Sequence, residues 1–185
     1  MSVTPAHLCR PGVDVSAMSD RQAELMKSDL CILVNREDEA IGSAAKQDCH
    51  LNSVIREGKG LHRAFSVFLF NEKGELMLQR RAAEKPTFPN RWTNTCCSHP
   101  LFGTPEAEEE GHRGVKRAAI RKLDDELGIT GIQEEDLIFL TRVHYVAMSD
   151  GKWCEHTWRT GCTHAPPSSC DGVPMTIARN RPATC

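Results

Sequence analysis

Apolar positions fall in short, separated runs along the chain. Leu30-Cys31-Ile32-Leu33-Val34 reads as a buried strand, and the polar Asn35 to Glu39 after it reads as its turn. Ala64 to Phe70 and Glu75 to Arg80 flank Asn71-Glu72-Lys73-Gly74, a pattern that predicts a β-hairpin. Pro105 to Leu127 reads as one helix, with Pro105 in the first turn, acids at Glu106 to Glu110, bases beyond and Gly128 at its end. A further strand is expected over Leu137 to Val146, so the order of elements implies an α+β or α/β domain.

Before Leu30 only Arg21 to Lys27 looks helical, and residues 1–28 read as an N-terminal extension to a domain spanning 29–156. Past His156 the composition changes. Residues 157–185 lack leucine, lysine and glutamate and are rich in Pro, Thr and Cys, so the pattern predicts a disordered tail.

Composition narrows the function classes. The formal charge is -2 from 23 basic and 25 acidic residues, which gives no electrostatic case for nucleic acid or a membrane surface. The longest apolar stretch, Ala64 to Phe70, is too short to cross a bilayer, and residues 1–20 have no apolar core of a secretory signal. A soluble, cytoplasmic protein with nine cysteines in a reducing compartment is the expectation; Pro182 to Cys185 is not a peroxisomal signal.

Several groups could carry chemistry. Cys97 and His99 stand two apart in the polar segment Thr93 to Pro100, although a free cysteine is most often a small core residue. A thiol beside a cation or metal would instead have its proton available for transfer. Cys49-His50, Leu61-His62-Arg63 and Trp153-Cys154-Glu155-His156 offer imidazoles and a carboxylate suited to zinc, manganese or iron, yet no spacing is a local metal motif. Lys46, Arg80, Arg81, Lys85, Arg121 and Lys122 could form a solvated face or clamp a phosphate.

Read together, Cys49 to Asn52, Leu61 to Phe70, Phe88-Pro89, Trp92 to Leu101 and Glu126-Leu127-Gly128 resemble type I isopentenyl-diphosphate delta-isomerases. Arg121 to Ile129 resembles a degenerate end of the Nudix box, with Arg113 and Ala107 where the box has its leading Glu and Gly. The resemblance implies a Nudix-like mixed sheet with flanking helices. It also implies interconversion of isopentenyl and dimethylallyl diphosphates in isoprenoid biosynthesis, by protonation of the alkene and removal of a proton from the adjacent carbon.

By the same resemblance Cys97 is a catalytic residue supported by Tyr145, and Lys46, Arg81, Lys85, Ser98 and Lys122 contact substrate. Glu126 would hold the Mg2+ of the diphosphate, while His50, His62, His99 and Glu155 would hold a second divalent metal, Zn2+, Mn2+ or Mg2+. The expected partner is a small diphosphate, with no nucleic acid or membrane, and the protein is expected to be a monomer.

The chain departs from the family at Thr157, where the family has the second Glu of Glu-x-Glu, a metal ligand and proton-transfer group. A threonine hydroxyl does not exchange protons near neutral pH in that role. Loss of the likeness after His156, with the later strands and helices truncated or replaced, is what a shifted reading frame, an alternative exon or a gene-model error would give. The competing reading is an inactive remnant that binds metal or diphosphate without turnover; a nucleotide-directed Nudix hydrolase is disfavoured by the eroded box.

Overall fold

The computed structural model describes residues 23–164. Residues 23–28 are helical (α1), in line with the sequence pattern, and the rest of the expected extension lies outside the described residues. The strands are β1 (Leu30–Val34), β2 (Ala40–Ala45), β3 (His62–Leu69), β4 (Gln79–Arg80), β5 (Trp92–Thr93), β6 (Cys96–Ser98), β7 (Ile138–Met148) and β8 (Cys154–His164). Short helices α2 (Lys46–Cys49) and α3 (Asn52–Arg56) precede β3, and α4 (Arg113–Leu127) is the one long helix among the described residues.

A mixed sheet runs in the order β2-β1-β3-β8-β7, with β6 also paired to β3. Strands β3 and β8 are parallel from His62↔Thr157 to Leu69↔His164; the other pairings within this sheet are antiparallel. Helix α4 covers the sheet through Val115, Ala118, Ala119 and Leu123, which bury against Phe65, Val67, Cys96 and Cys162. Among the described residues no helix is long and apolar enough to cross a membrane.

Two elements differ from the sequence reading in shape. The turn after β3 forms, with Asn71 N–H donating to Glu75 O (3.0 Å) and Gly74 N–H to Asn71 O (2.9 Å). Its second arm stays paired through the Phe70↔Leu76 bridge and Met77, whose N–H donates to Leu69 O (2.9 Å), but then separates, and Gln79–Arg80 pairs with β5 instead. The reason is competition, since β6 occupies the antiparallel edge of β3 from Phe65↔Ser98 to Val67↔Cys96. The long helix also starts late. Residues 105–107 and 110–112 are separate 3₁₀ turns, because Gly111 (φ 57°) and His112 (φ 58°) are left-handed, and α4 begins at Arg113. A side chain at Gly114 would meet the Glu106 and Glu108 carbonyl oxygens, so the two segments pack backbone against helix. The end of α4 is as read, with Gly128 left-handed (φ 67°).

The expectation of disorder from residue 157 fails over 157–164, which form most of β8; residues 165–185 lie outside the described residues. His156 is therefore no structural boundary. Low apolar content does not melt this segment, because β3 and β7 flank it on both sides and satisfy its backbone hydrogen bonds. Thr157, Thr160, Gly161 and Cys162 are buried there, with Thr157 at 0% exposure.

Candidate active site

The inner face of the sheet carries the site because strand alternation selects which residues reach it. On β6, Cys96 enters the core while Cys97, one residue on, opens to the cavities. Burial pushes the Cys96 thiol far up, which marks it as an inert packing group. The adjacent cysteines thus have different environments.

His50 ends the α2 segment, His62 opens β3, and His99 follows β6; Glu155 lies on β8. Their ligand atoms all lie within 4.8 Å of one another, all four residues are buried, and the three imidazole centroids are 4.8 to 4.9 Å apart. Two of the rings are fixed from outside. His50 Nδ1 donates to the Lys46 carbonyl (2.7 Å) and His62 Nδ1 to the Gly60 carbonyl (2.7 Å), since a carbonyl can only accept.

That leaves each Nε2 for the centre. His50 Nε2 faces Glu155 Oε1 at 3.2 Å, which requires either an imidazolium N–H or a cation between the two atoms. His62 Nε2 and both nitrogens of His99 are buried without a hydrogen-bond partner. Orphaned imidazole nitrogens around one carboxylate, with carbonyls fixing two of the rings, fit a divalent metal ion.

The electrostatics agree. Burial, reinforced by the neighbouring His50, pulls the His62 pKa down to about 3, and burial with His62 and His50 alongside holds His99 well below the usual histidine range. Burial works against the Glu155 carboxylate, yet His50 and Arg159 keep it ionised far below the ordinary range. The sign for stability follows. In chelator-treated protein, His62 and His99 stay neutral when folded but take up protons when unfolded below about pH 6.5, so stability must fall as pH drops toward 3. Urea unfolding at pH 7.5, 6.0 and 5.0 should show a level value at the top and then a decline approaching about 1.4 kcal/mol per pH unit per histidine.

A small cavity beside this cluster is lined by Lys46, Arg81, Lys85, Ser98, Cys97 and Glu126. Lys46 is half-buried, its desolvation lowers its pKa, and Asp29 opposes that shift from 3.7 Å. Burial would raise Glu126, but Lys85 at 3.4 Å and Lys122 at 3.3 Å hold it below the ordinary carboxylate value. Arg81 reaches Cys97 Sγ at 3.8 Å and is braced by the Thr87 carbonyl. Lys122 does not line the cavity; it pairs with Glu126 and Asp125.

A second cavity of about 350 Å³ opens on the other side of Cys97, with Tyr145 on its wall. Burial raises the Tyr145 phenol. Thr157 is the register partner of Tyr145 and fully buried. The residue that sequence reasoning missed is Arg159. It projects from β8 between Glu155 (3.1 Å) and the Tyr145 ring (5.3 Å), and lines both cavities. Its only signal in the sequence was the period-two spacing from Glu155 through Thr157, invisible while 157 onward was read as tail.

Comparison with known proteins agrees with this geometry. A NUDIX domain model matches residues 60–171. The chain is 46% identical over 186 residues to an isopentenyl-diphosphate delta-isomerase of Phaffia rhodozyma, covering 98% of this chain and 74% of that one. It is 53% identical over 156 residues to the Gibberella zeae enzyme of that name (79% and 61% covered) and 50% identical over 148 residues to Isopentenyl-diphosphate Delta-isomerase 1 of Bos taurus (79% and 64%). The chain spans between half and three quarters of the length of such relatives. Shared sequence at this level, on a mixed α/β fold with a buried three-histidine, one-glutamate cluster beside Cys97, identifies the chain as a member of the isopentenyl-diphosphate delta-isomerase family within the NUDIX superfamily.

Proposed function

We propose that this site binds isopentenyl and dimethylallyl diphosphates and moves protons on their alkene. The observation that carries the reading is the placement of one partly exposed thiol, Cys97, between a cationic cavity and the His50, His62, His99 and Glu155 cluster. Lys46, Arg81 and Lys85 match the negative charge of a diphosphate, Ser98 supplies a hydroxyl beside it, and Glu126 is placed to share Mg2+ with the phosphate oxygens. A divalent ion held by the histidines and Glu155, zinc or manganese by the softness of those donors, would supply Lewis-acid charge next to the reacting carbons.

In this reading Cys97 exchanges a proton with the alkene on one face, and Tyr145 borders the reacting carbons. Proton removal from the adjacent carbon needs a second group on the opposite face. By the family resemblance Thr157, paired in register with Tyr145, takes the place of that group and supplies no carboxylate, so binding is expected to exceed turnover. The ligand is a small molecule and the protein acts as a monomer. A reducing, cytoplasmic setting is supported by six free thiols among the described residues.

The test is deuterium uptake from heavy water into isopentenyl diphosphate, with dimethylallyl diphosphate measured in parallel, in the presence of magnesium and zinc. Slow exchange that disappears on chelation is expected. Folded protein that binds neither diphosphate by calorimetry would exclude the reading.

A further inference from the structure

The buried cluster offers a metal three imidazoles and one carboxylate, and one oxygen of that carboxylate is already engaged. Glu155 Oε2 accepts from Arg159 Nη2 (3.1 Å), while Oε1 faces His50 Nε2 (3.2 Å). Oε2 also lies 4.0 Å from His99 Nε2, so both oxygens border the centre and the guanidinium separates their roles. Arg159 is held in place. It is 9% exposed, its Nη1 donates to the Phe65 carbonyl (3.3 Å) and Ser66 Oγ (3.4 Å), and it interacts with Cys97.

The charge around the centre follows from these contacts. Imidazoles bind metal as neutral groups, so Glu155 brings the one negative charge and Arg159 sets a positive charge against it. Thr157, two residues along β8 and fully buried, adds no charge, and among the described residues no other carboxylate joins the four. Hard cations such as Mg2+ and Mn2+ favour six oxygen-rich donors and gain most from anionic ones. Zinc accepts four donors of mainly nitrogen. A carboxylate limited to one oxygen beside a fixed guanidinium suits zinc and penalises the harder ions.

We propose that Arg159 is a positioning residue for the cluster: by holding Glu155 Oε2 it leaves one oxygen for the metal and makes the centre a four-coordinate, zinc-selective site of three nitrogens and one oxygen. This rests on the proposed reading of the cluster as a metal centre, and narrows it from a choice of divalent ions to one.

The experiment titrates the chelator-treated full chain, Arg159→Lys and Arg159→Met with Co2+, followed by visible absorption, and with Zn2+ and Mn2+, followed by calorimetry. The share of each signal due to the cluster is the part lost in His99→Ala. The unaltered chain should give the intense visible absorption of four-coordinate cobalt, and Arg159→Lys should keep it. Arg159→Met releases Oε2, so its cobalt absorption should weaken as coordination rises. Its ratio of zinc to manganese affinity should fall at least about tenfold, the size of one charge-assisted hydrogen bond. Zinc exceeds manganese at most nitrogen-rich sites, so the change in the ratio carries the test rather than its direction. A weak, higher-coordinate cobalt spectrum in the unaltered chain would overturn the role of Arg159 even if Arg159→Met proves unfolded. An unchanged spectrum and ratio in folded Arg159→Met would do so as well. Absence of any metal signal that depends on His99 would remove the metal reading of the cluster itself, and the selectivity with it.

Discussion

Cys97→Ala should reduce deuterium exchange into isopentenyl diphosphate by at least about 10³-fold, to the solvent background, while leaving calorimetric binding of the diphosphate within a few fold. In the proposed mechanism the thiol at the junction of the two cavities exchanges the proton, whereas the cationic groups that would hold phosphate are Lys46, Arg81 and Lys85. Loss of a positioned acid or base costs about 10² to 10⁴ in rate, and here it removes the one group of that kind the site retains on its face. Cys96→Ala is the control. It should keep the exchange and lose about 1 kcal/mol of stability, because Cys96 is fully buried between the sheet and α4. If the two alanine variants exchange deuterium equally, the assignment of roles within the pair is wrong.

Thr157→Glu should raise isomerisation by about 10²-fold, with Thr157→Gln giving no gain. The position shares the inward face of β8 with Glu155 and Arg159 and stands opposite Tyr145 across the strand pair. A carboxylate there adds negative charge near Glu155, and the guanidinium of Arg159 two residues away offsets part of that repulsion. The added burial cost should show as a lower melting temperature, and product formation should be followed at a temperature where both variants are folded. A rate no higher than that of Thr157→Gln would locate the defect outside this residue.

Local pattern was informative where a segment has one buried face or a distinctive ending. Strand β1, the Asn71 to Gly74 turn and the glycine that stops α4 all carry such signatures. Strand β2 does not, since Ala40–Ala45 is small and mostly half-exposed, and it is held by pairing with β1 rather than by its own apolar residues. The histidine cluster had no local spacing to read, because its members come from three separate segments and a distant strand; only the family resemblance joined them. Arg159 was hidden for a different reason. Composition foretells disorder when a segment must stabilise itself, and β8 is stabilised by two neighbours instead.

The position of β8 sets an order of folding. It is the last described strand in the chain but a central one in the sheet, and its contact from Arg159 to Phe65 joins residues 94 apart. Parallel pairing over such a separation carries a large loop-closure cost before it yields any gain, so it should form late. Until it does, β3 lacks its parallel partner and β7 has no place in the sheet. The fourth side chain of the candidate metal cluster, Glu155, and the buried guanidinium are then still absent, and the three histidines precede them as a half-built site. Completion of the sheet and completion of the chemistry are the same kinetic event, so refolding rates read from sheet formation and from metal uptake should coincide.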